Sequence, residues 1–256
     1  MMAVNVGNTQ TKLGVFEGEE LLGRWRMTTE SYRTEDEIGA SLAALLELHG
    51  MRLGDLDALI IASDVPDLIR SYRCLGEELL EIPFYSVSYE MKTDLANLYE
   101  DPRAVGSDRI VNTVAVKTHY GFPAVIVDFG TATTVCALDD SGAYRGGAIM
   151  PGIYISLDAL VSRAAKLASV DLEERLPKAI ATNTPDSIRS GFIYGYAGAV
   201  DALIRRFRDE LGVEDLRVVA TGGPASVIVR HCREIDILDP DLTLKGLRVL
   251  YELNAD

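Results

Sequence analysis

The sequence predicts an α/β protein built from two related halves, and three observations carry that expectation. A pattern of strand, glycine turn and strand near the start recurs in the middle of the chain. Each copy leads into alternating helices and apolar strands. At 256 residues and 48% apolar content, the chain can bury a substantial core as one large domain or two ordinary ones.

The first copy opens with AVNVGNTQTKLGVFEG, residues 3 to 18. Residues 3 to 6, LGVF and LLGRWRM read as a three-stranded meander punctuated by GNT and EGEE. A helical pattern follows from about Asp36 to Leu48, with the acidic TEDE cluster at its start, where carboxylates suit the helix dipole. LDALIIASD reads as a buried strand, PDLIRSYRCLGEELL as a helix opening on Pro66, and PFYSVS as another strand. A loop from Met91 then leads through GSDR, residues 106 to 109, into a helix from about Arg109 to Lys117.

The second copy is PAVIVDFGTATTVCALDDSGAYRGGAIM. Laid over Asn5-Val-Gly7-Asn8-Thr9-Gln-Thr11, the run Asp128-Phe-Gly130-Thr131-Ala-Thr133-Thr134 places strand, glycine and hydroxyl-rich turn in register. The chain therefore reads as internally duplicated, with a boundary between Lys117 and Phe122 and a site in the cleft between the halves. A period this long excludes the common solenoids.

Charge narrows the function classes. Lys and Arg total 25 against 39 Asp and Glu, a net charge of -14, which excludes a general nucleic-acid surface and requires locally placed donors for any anionic ligand. Cys74, Cys136 and Cys232 are far apart and odd in number, so neither a disulfide framework nor a zinc knuckle is indicated. His49, His119 and His231 lack metal-ligand spacing. With no basic leader and no stretch of membrane-spanning length, the expected location is the cytoplasm.

The turns suggest the ligand. Glycine lets a backbone approach a ligand closely, and clustered N–H donors make an anion-binding concavity. Together with the hydroxyls of Thr9, Thr11, Thr131, Thr133 and Thr134, two such turns suit the phosphates of a nucleotide. GNT alone reads better as an ordinary hairpin turn, and the repetition is what favours a ligand. A third pair, Gly222-Gly223 in LRVVATGGPAS, follows a strand and opens a helix; it reads as a nucleotide contact or as a tight helix start. No GxxxxGK[ST] motif is present, which excludes a P-loop.

GSDR is the candidate for the chemistry. Ser107 or Asp108 suits a plain N-cap, but Arg109 in a first turn opposes the helix dipole unless an anion compensates. A carboxylate or phosphate gripped by two parallel hydrogen bonds would do so, and Asp108 beside it could accept a proton from an attacking hydroxyl.

Six motifs in order resemble the type III pantothenate kinases of the acetate and sugar kinase, heat-shock protein and actin superfamily: VGNTQTK, VGSDRIVN, VDFGTATT, YRGGAIMPGI, NTPDSIRSGFIYGYAG and ATGG. The resemblance implies two duplicated actin-like (ribonuclease H-like) domains, 1–117 and 118–256, with a cleft between them. It also implies phosphorylation of pantothenate by ATP, with Asp108 as general base. Tyr99, Gly106, Ser107, Arg109 and Thr184 would bind pantothenate, and Asn5, Gly7, Asn8, Thr9, Thr11, Lys12, Thr131, Gly222 and Gly223 would bind ATP. Asp128 would hold a monovalent cation, K+ or NH4+, with Mg2+ accompanying ATP, and the protein would be a homodimer. Neither nucleic acid nor membrane is an expected partner.

One position departs from the family pattern, which has Asp where this chain has Asn5. Asn keeps an oxygen ligand and loses the negative charge, so attraction for Mg2+ weakens while the turn survives. The alternative reading is a catalytically impaired homologue acting as a binding or regulatory protein. Another small-molecule kinase of the superfamily is disfavoured by the constellation from Tyr99 to Arg109.

Overall fold

A computed structural model describes residues 1–164 and 167–255. The strands are β1 (Met2–Val6), β2 (Gln10–Glu17), β3 (Glu20–Thr28), β4 (Leu59–Ser63), β5 (Phe84–Ser86), β6 (Ala124–Phe129), β7 (Ala132–Leu138), β8 (Tyr144–Pro151), β9 (Arg217–Thr221) and β10 (Ile237–Leu238). The helices are α1 (Glu35–Glu47), α2 (Pro66–Cys74), α3 (Ser107–His119), α4 (Ile153–Arg163), α5 (Thr184–Leu211), α6 (Ala225–Ile228) and α7 (Leu242–Asn254).

Two five-stranded sheets have the same connectivity, in the orders β3-β2-β1-β4-β5 and β8-β7-β6-β9-β10. In each, a three-stranded antiparallel meander is extended by two parallel strands. Alternation sets the faces. Val4, Val6, Leu13 and Ile61 turn to one side of the first sheet and meet Ile38, Leu42 and Leu46 of α1 and Leu68 and Tyr72 of α2. In the second, Val127, Phe129, Val135 and Ala220 meet Ile153 and Leu157 of α4 and Ile193, Val200 and Ile204 of α5.

Local signals explain the helix ends. Thr34 and Glu37 form a capping box at the start of α1, with Glu35, Asp36 and Glu37 in its first turn. Asn183 caps α5 through the Asp186 amide, and Gly212, at φ +67°, closes it in the left-handed region. The helix expected over PDLIRSYRCLGEELL keeps α-helical bonding only to Cys74 and continues as a π-helical turn, Leu75–Leu79. The strand within LDALIIASD is confined to Leu59–Ser63, and the helix expected from Arg109 starts at Ser107.

Register corrects the overlay of the two turns. Asn5 pairs with Lys12 and Val6 with Thr11, whereas Asp128 pairs with Thr134 and Phe129 with Thr133. Residues 7–9 connect β1 to β2, but only 130–131 connect β6 to β7. The first turn is thus one residue longer, and Thr11 corresponds to Thr133, not to Thr134. Counted on this corrected register, the bulge between the second and third strands falls at the same place in both sheets. Val15 faces Gly23 and Phe16 faces Leu21; Ala137 faces Gly146 and Leu138 faces Tyr144. A matched bulge is a specific feature of a strand pair, and its recurrence supports the duplication beyond strand order alone.

The chain forms two compact units: residues 1–94, 100–118 and 242–256 in one, and 95–99 with 119–241 in the other. Helix α7 belongs to the first, where it packs on β1, β2 and β4. Its Leu244 lies over Gly14, its Gly246 meets Val111 of α3, and its Thr243 donates a hydrogen bond to Asn112 at 2.8 Å. Among the described residues, no helix is long and apolar enough to cross a membrane.

Candidate active site

In the first unit the sheet carries a polar row at the carboxyl end of β1. Asn5 faces Lys12 on β2 and Ala62 on β4, and Lys12 faces Arg26 on β3. Residues directly opposite one another share a face, and Gly14 on that same face lies under Leu244, so Arg26, Lys12 and Asn5 lie on the α7 side. The row therefore runs Arg26, Lys12, Asn5, Ala62, with two cations on one side of a neutral amide at the base of the first glycine turn. Two cations directly opposite repel, and a bound anion relieves the repulsion.

The GSDR segment starts α3. The Gly106 carbonyl accepts the amides of Arg109, at 3.1 Å, and Ile110, at 3.3 Å, so Gly106 occupies the N-cap and Ser107 is the first helical residue. This corrects the N-cap expected at Ser107 or Asp108. Asp108 Oδ1 accepts the Arg109 amide at 2.7 Å, and the Arg109 side chain is buried, at 6% exposure. A buried guanidinium at the positive end of a helix dipole suits an anionic ligand.

Asp64 was missed by sequence reasoning. It follows Ser63, which pairs with Val6 just ahead of Gly7, and its Oδ1 accepts a hydrogen bond from Ser107 Oγ at 3.2 Å. A signal was available: an acidic residue at the carboxyl end of a parallel strand, where open α/β sheets place their ligands.

The second unit repeats the row with different chemistry. Asp128 faces Thr134 on β7 and Thr221 on β9, and Thr134 faces Ile149 on β8. Thr221 is fully buried, and its hydroxyl has no hydrogen-bond partner among the described residues. Gly222, at φ +104°, brings the following loop onto β6; a Cβ there would stand 2.3 Å from the Phe129 carbonyl oxygen. Only glycine permits that approach, which gathers Gly222, Gly223, Asp128 and Thr131 at one end of the sheet.

Both turns are strapped by the residue that follows the third strand. Thr29 N donates to Thr9 O at 3.0 Å, and Gly152 N donates to Thr131 O at 2.9 Å. The Thr29 and Thr11 hydroxyls also share a hydrogen bond of 2.9 Å. In the shorter second turn, a Cβ at position 152 would lie 2.3 Å from Thr131 O, so Gly152 is required. With no hydroxyl at 152, the buried Thr133 hydroxyl has no partner among the described residues. Pro151 ends β8 and Gly152 is the N-cap of α4, so this pair forms the strap beneath the second turn.

The remaining candidates also belong to the second unit. Tyr99 is held through its amide to Asn97 Oδ1 at 3.1 Å, with its ring 6.2 Å from that of Tyr144 and in contact with the bulge glycine, Gly146. Thr184 is exposed in the first turn of α5. Asp186, two residues on, is held below the usual carboxylate range by hydrogen bonds from Asn183 and Arg175, with Arg189 adding a third. Buried Arg189 also pairs with Glu174 and donates to the Asp171 carbonyl, fixing the segment before α5 to the helix. The five pantothenate candidates are thus distributed, with Gly106, Ser107 and Arg109 in one unit and Tyr99 and Thr184 in the other.

The donors fit the ions that the sequence suggests. A carboxylate at Asp128 beside the buried Thr221 hydroxyl is an all-oxygen set suited to a hard cation. Among the described residues, no three Asp, Glu, His or Cys side chains cluster for a metal.

Comparison with known proteins gives the family. Residues 1–206 match the family model of type III pantothenate kinase. A type III pantothenate kinase of Rubrobacter xylanophilus is 65% identical over 259 aligned residues, covering 100% of this chain and 98% of that protein. One from Bacillus cytotoxicus is 44% identical over 256 residues, covering 100% and 97%. Among solved structures, the ROK hexokinase of Thermus thermophilus superposes with a TM-score of 0.51 at 14% identity, covering 97% of each chain, a likeness of fold alone. Duplicated sheets of actin-like connectivity, an acid and an arginine in the first turn of α3, and similarity along the whole chain place this protein in the type III pantothenate kinase family.

Proposed function

We propose that this protein transfers the γ-phosphoryl group of ATP to the primary hydroxyl of pantothenate, giving 4'-phosphopantothenate and opening coenzyme A synthesis. The observation that carries this reading is Asp108 in the first turn of α3, next to Ser107, whose hydroxyl bonds to Asp64 at the end of β4, in a chain of this family. Asp108 takes the proton of the pantothenate hydroxyl as its oxygen attacks the γ-phosphorus, and the bond to the β–γ bridging oxygen breaks. Arg109 grips the pantothenate carboxylate, with Tyr99, Gly106, Ser107 and Thr184 as further contacts.

The backbones of Gly7, Asn8, Thr9 and Thr131 cradle the phosphates, Lys12 adds charge, and Gly222 and Gly223 admit the nucleotide closely. Thr11, buried against Thr29, serves by bracing the turn. Bound Mg2+ neutralises charge on the phosphates, and Asn5 offers it a neutral oxygen, so this chain needs more Mg2+ than one with Asp at that position. Asp128, with Thr221, holds K+ or NH4+. We take the protein to be a cytoplasmic homodimer. We also read 1–117 and 118–256 as the duplicated domains, supported by matched strand order and bulges, with α7 appended to the first sheet.

The test is steady-state phosphorylation of pantothenate by ATP with Mg2+ and with K+, NH4+ or Na+ in turn. Turnover that depends on K+ or NH4+ is expected. Asp108→Asn should lower kcat by about 10²–10⁴-fold with an unchanged circular dichroism spectrum. Absence of turnover in folded protein with every cation would refute the reading.

A further inference from the structure

We propose that Asp64 is a positioning residue for the phosphoryl transfer. Its carboxylate, acting through the Ser107 hydroxyl, fixes the Gly106–Asp108 corner and so the placement of the base. The proposal rests on the assignment of Asp108 as that base.

Asp64 Oδ1 accepts the Ser107 hydroxyl hydrogen bond at 3.2 Å, which joins the carboxyl end of β4 to the first residue of α3. Its other oxygen, Oδ2, lies 3.7 Å from the point where a Cβ on Gly106 would stand, and Asp108 Oδ1 lies 2.9 Å from that point. Two carboxylates from separate elements therefore close over a single Cα. Gly106 leaves room for both.

Anchorage distinguishes the two acids. Asp64 extends directly from β4, whose five residues are all buried and which is paired on both sides, by β1 and β5. Asp108 stands at a helix end, where the first amides have no intrahelical partner and fraying is easiest. The Ser107 hydrogen bond to Asp64 is long, at 3.2 Å, and exposed, so it acts by orienting the corner and not by strength. Asp64 thus carries the rigidity of the sheet to the start of the helix. A proton acceptor must be held within a fraction of an ångström to work, and this link supplies that constraint.

The experiment measures kcat, both KM values and amide hydrogen exchange over residues 106–110 for Asp64→Ala, Ser107→Ala, the double variant and Asp64→Asn. Each alanine variant should lose about tenfold in kcat with KM for ATP unchanged. The double variant should be no worse in kcat than Ser107→Ala alone, which already removes the link; the loss of the Ser107 contact with pantothenate is read separately, as a higher KM for pantothenate in both variants that lack Ser107. Asp64→Asn retains an Oδ1 acceptor and should recover to within about threefold of the parent. Exchange at 106–110 should quicken in the alanine variants and not in Asp64→Asn.

Unchanged kcat and exchange in Asp64→Ala would overturn the proposal, as would additive losses in the double variant. An Asp64→Asn protein as impaired as Asp64→Ala would also overturn it, since charge and not the link would then matter. If the parent protein does not phosphorylate pantothenate, the functional reading fails by itself, and the exchange measurement still decides whether Asp64 fixes the corner.

Discussion

The two glycine turns share a frame and differ in charge and stiffness. At the first, Arg26 and Lys12 stand in a row beside neutral Asn5, the connection spans residues 7–9, and its strap is a threonine whose hydroxyl meets Thr11. At the second, Asp128 stands among hydroxyls, the connection is shorter, and only glycine fits the strap position. Duplication supplied one scaffold, and substitution then specialised its ends. The first is polarised to receive anions, and the second presents a carboxylate among hydroxyl oxygens.

The strap separates the turns most sharply. Gly152→Ala forces a methyl group against a backbone carbonyl and should cost about 3 kcal/mol in a denaturant unfolding experiment. A cost below about 1 kcal/mol would mean that the second turn is no tighter than the first. Next in size, Asp128→Asn makes the second row as neutral as position 5. It should remove the activation by K+ or NH4+ and lower kcat by about a hundredfold, read from rate against cation concentration. Retained activation would move the cation elsewhere.

Asn5→Asp is the converse exchange, giving the first turn the charge of the second. The Mg2+ concentration for half-maximal rate should fall by about fivefold, a change of about 1 kcal/mol, and no fall would show that position 5 does not tune the metal. The smallest effect belongs to Thr29→Ala, which removes one hydroxyl pair and leaves the backbone strap in place. Its unfolding free energy should drop by about 1 kcal/mol at most, and a loss matching that of Gly152→Ala would erase the contrast.

Both meanders were legible in the sequence because apolar alternation and Gly-Asn-Thr or Gly-Thr punctuation are local signals. Asp108 and Arg109 stood out as candidates for a physical reason, since an arginine in a first helical turn is out of place without an anion, and the structure puts both in the first turn of α3. The one-residue difference between the turns was not, because a loop insertion has no periodic signature and the glycines stay aligned while every threonine after them shifts. Asp64 was hidden as the last residue of LDALIIASD, a stretch that reads only as a buried strand. Gly152 was hidden behind a Pro-Gly pair that reads as any turn. Each is given meaning by a contact made far along the chain, from Asp64 to Ser107 and from Gly152 to Thr131.

The return of α7 to the first sheet sets an order of events during synthesis. β1 leaves the ribosome early, yet the face that carries Gly14 is covered only when Leu244 arrives, after all of residues 119–241 have emerged. The second unit needs nothing later than Asp241 and can close first. Contacts spanning most of a chain form slowly, and a sheet face left bare in the meantime is where a nascent protein aggregates or engages a chaperone. The unit that begins the sequence is the one completed last.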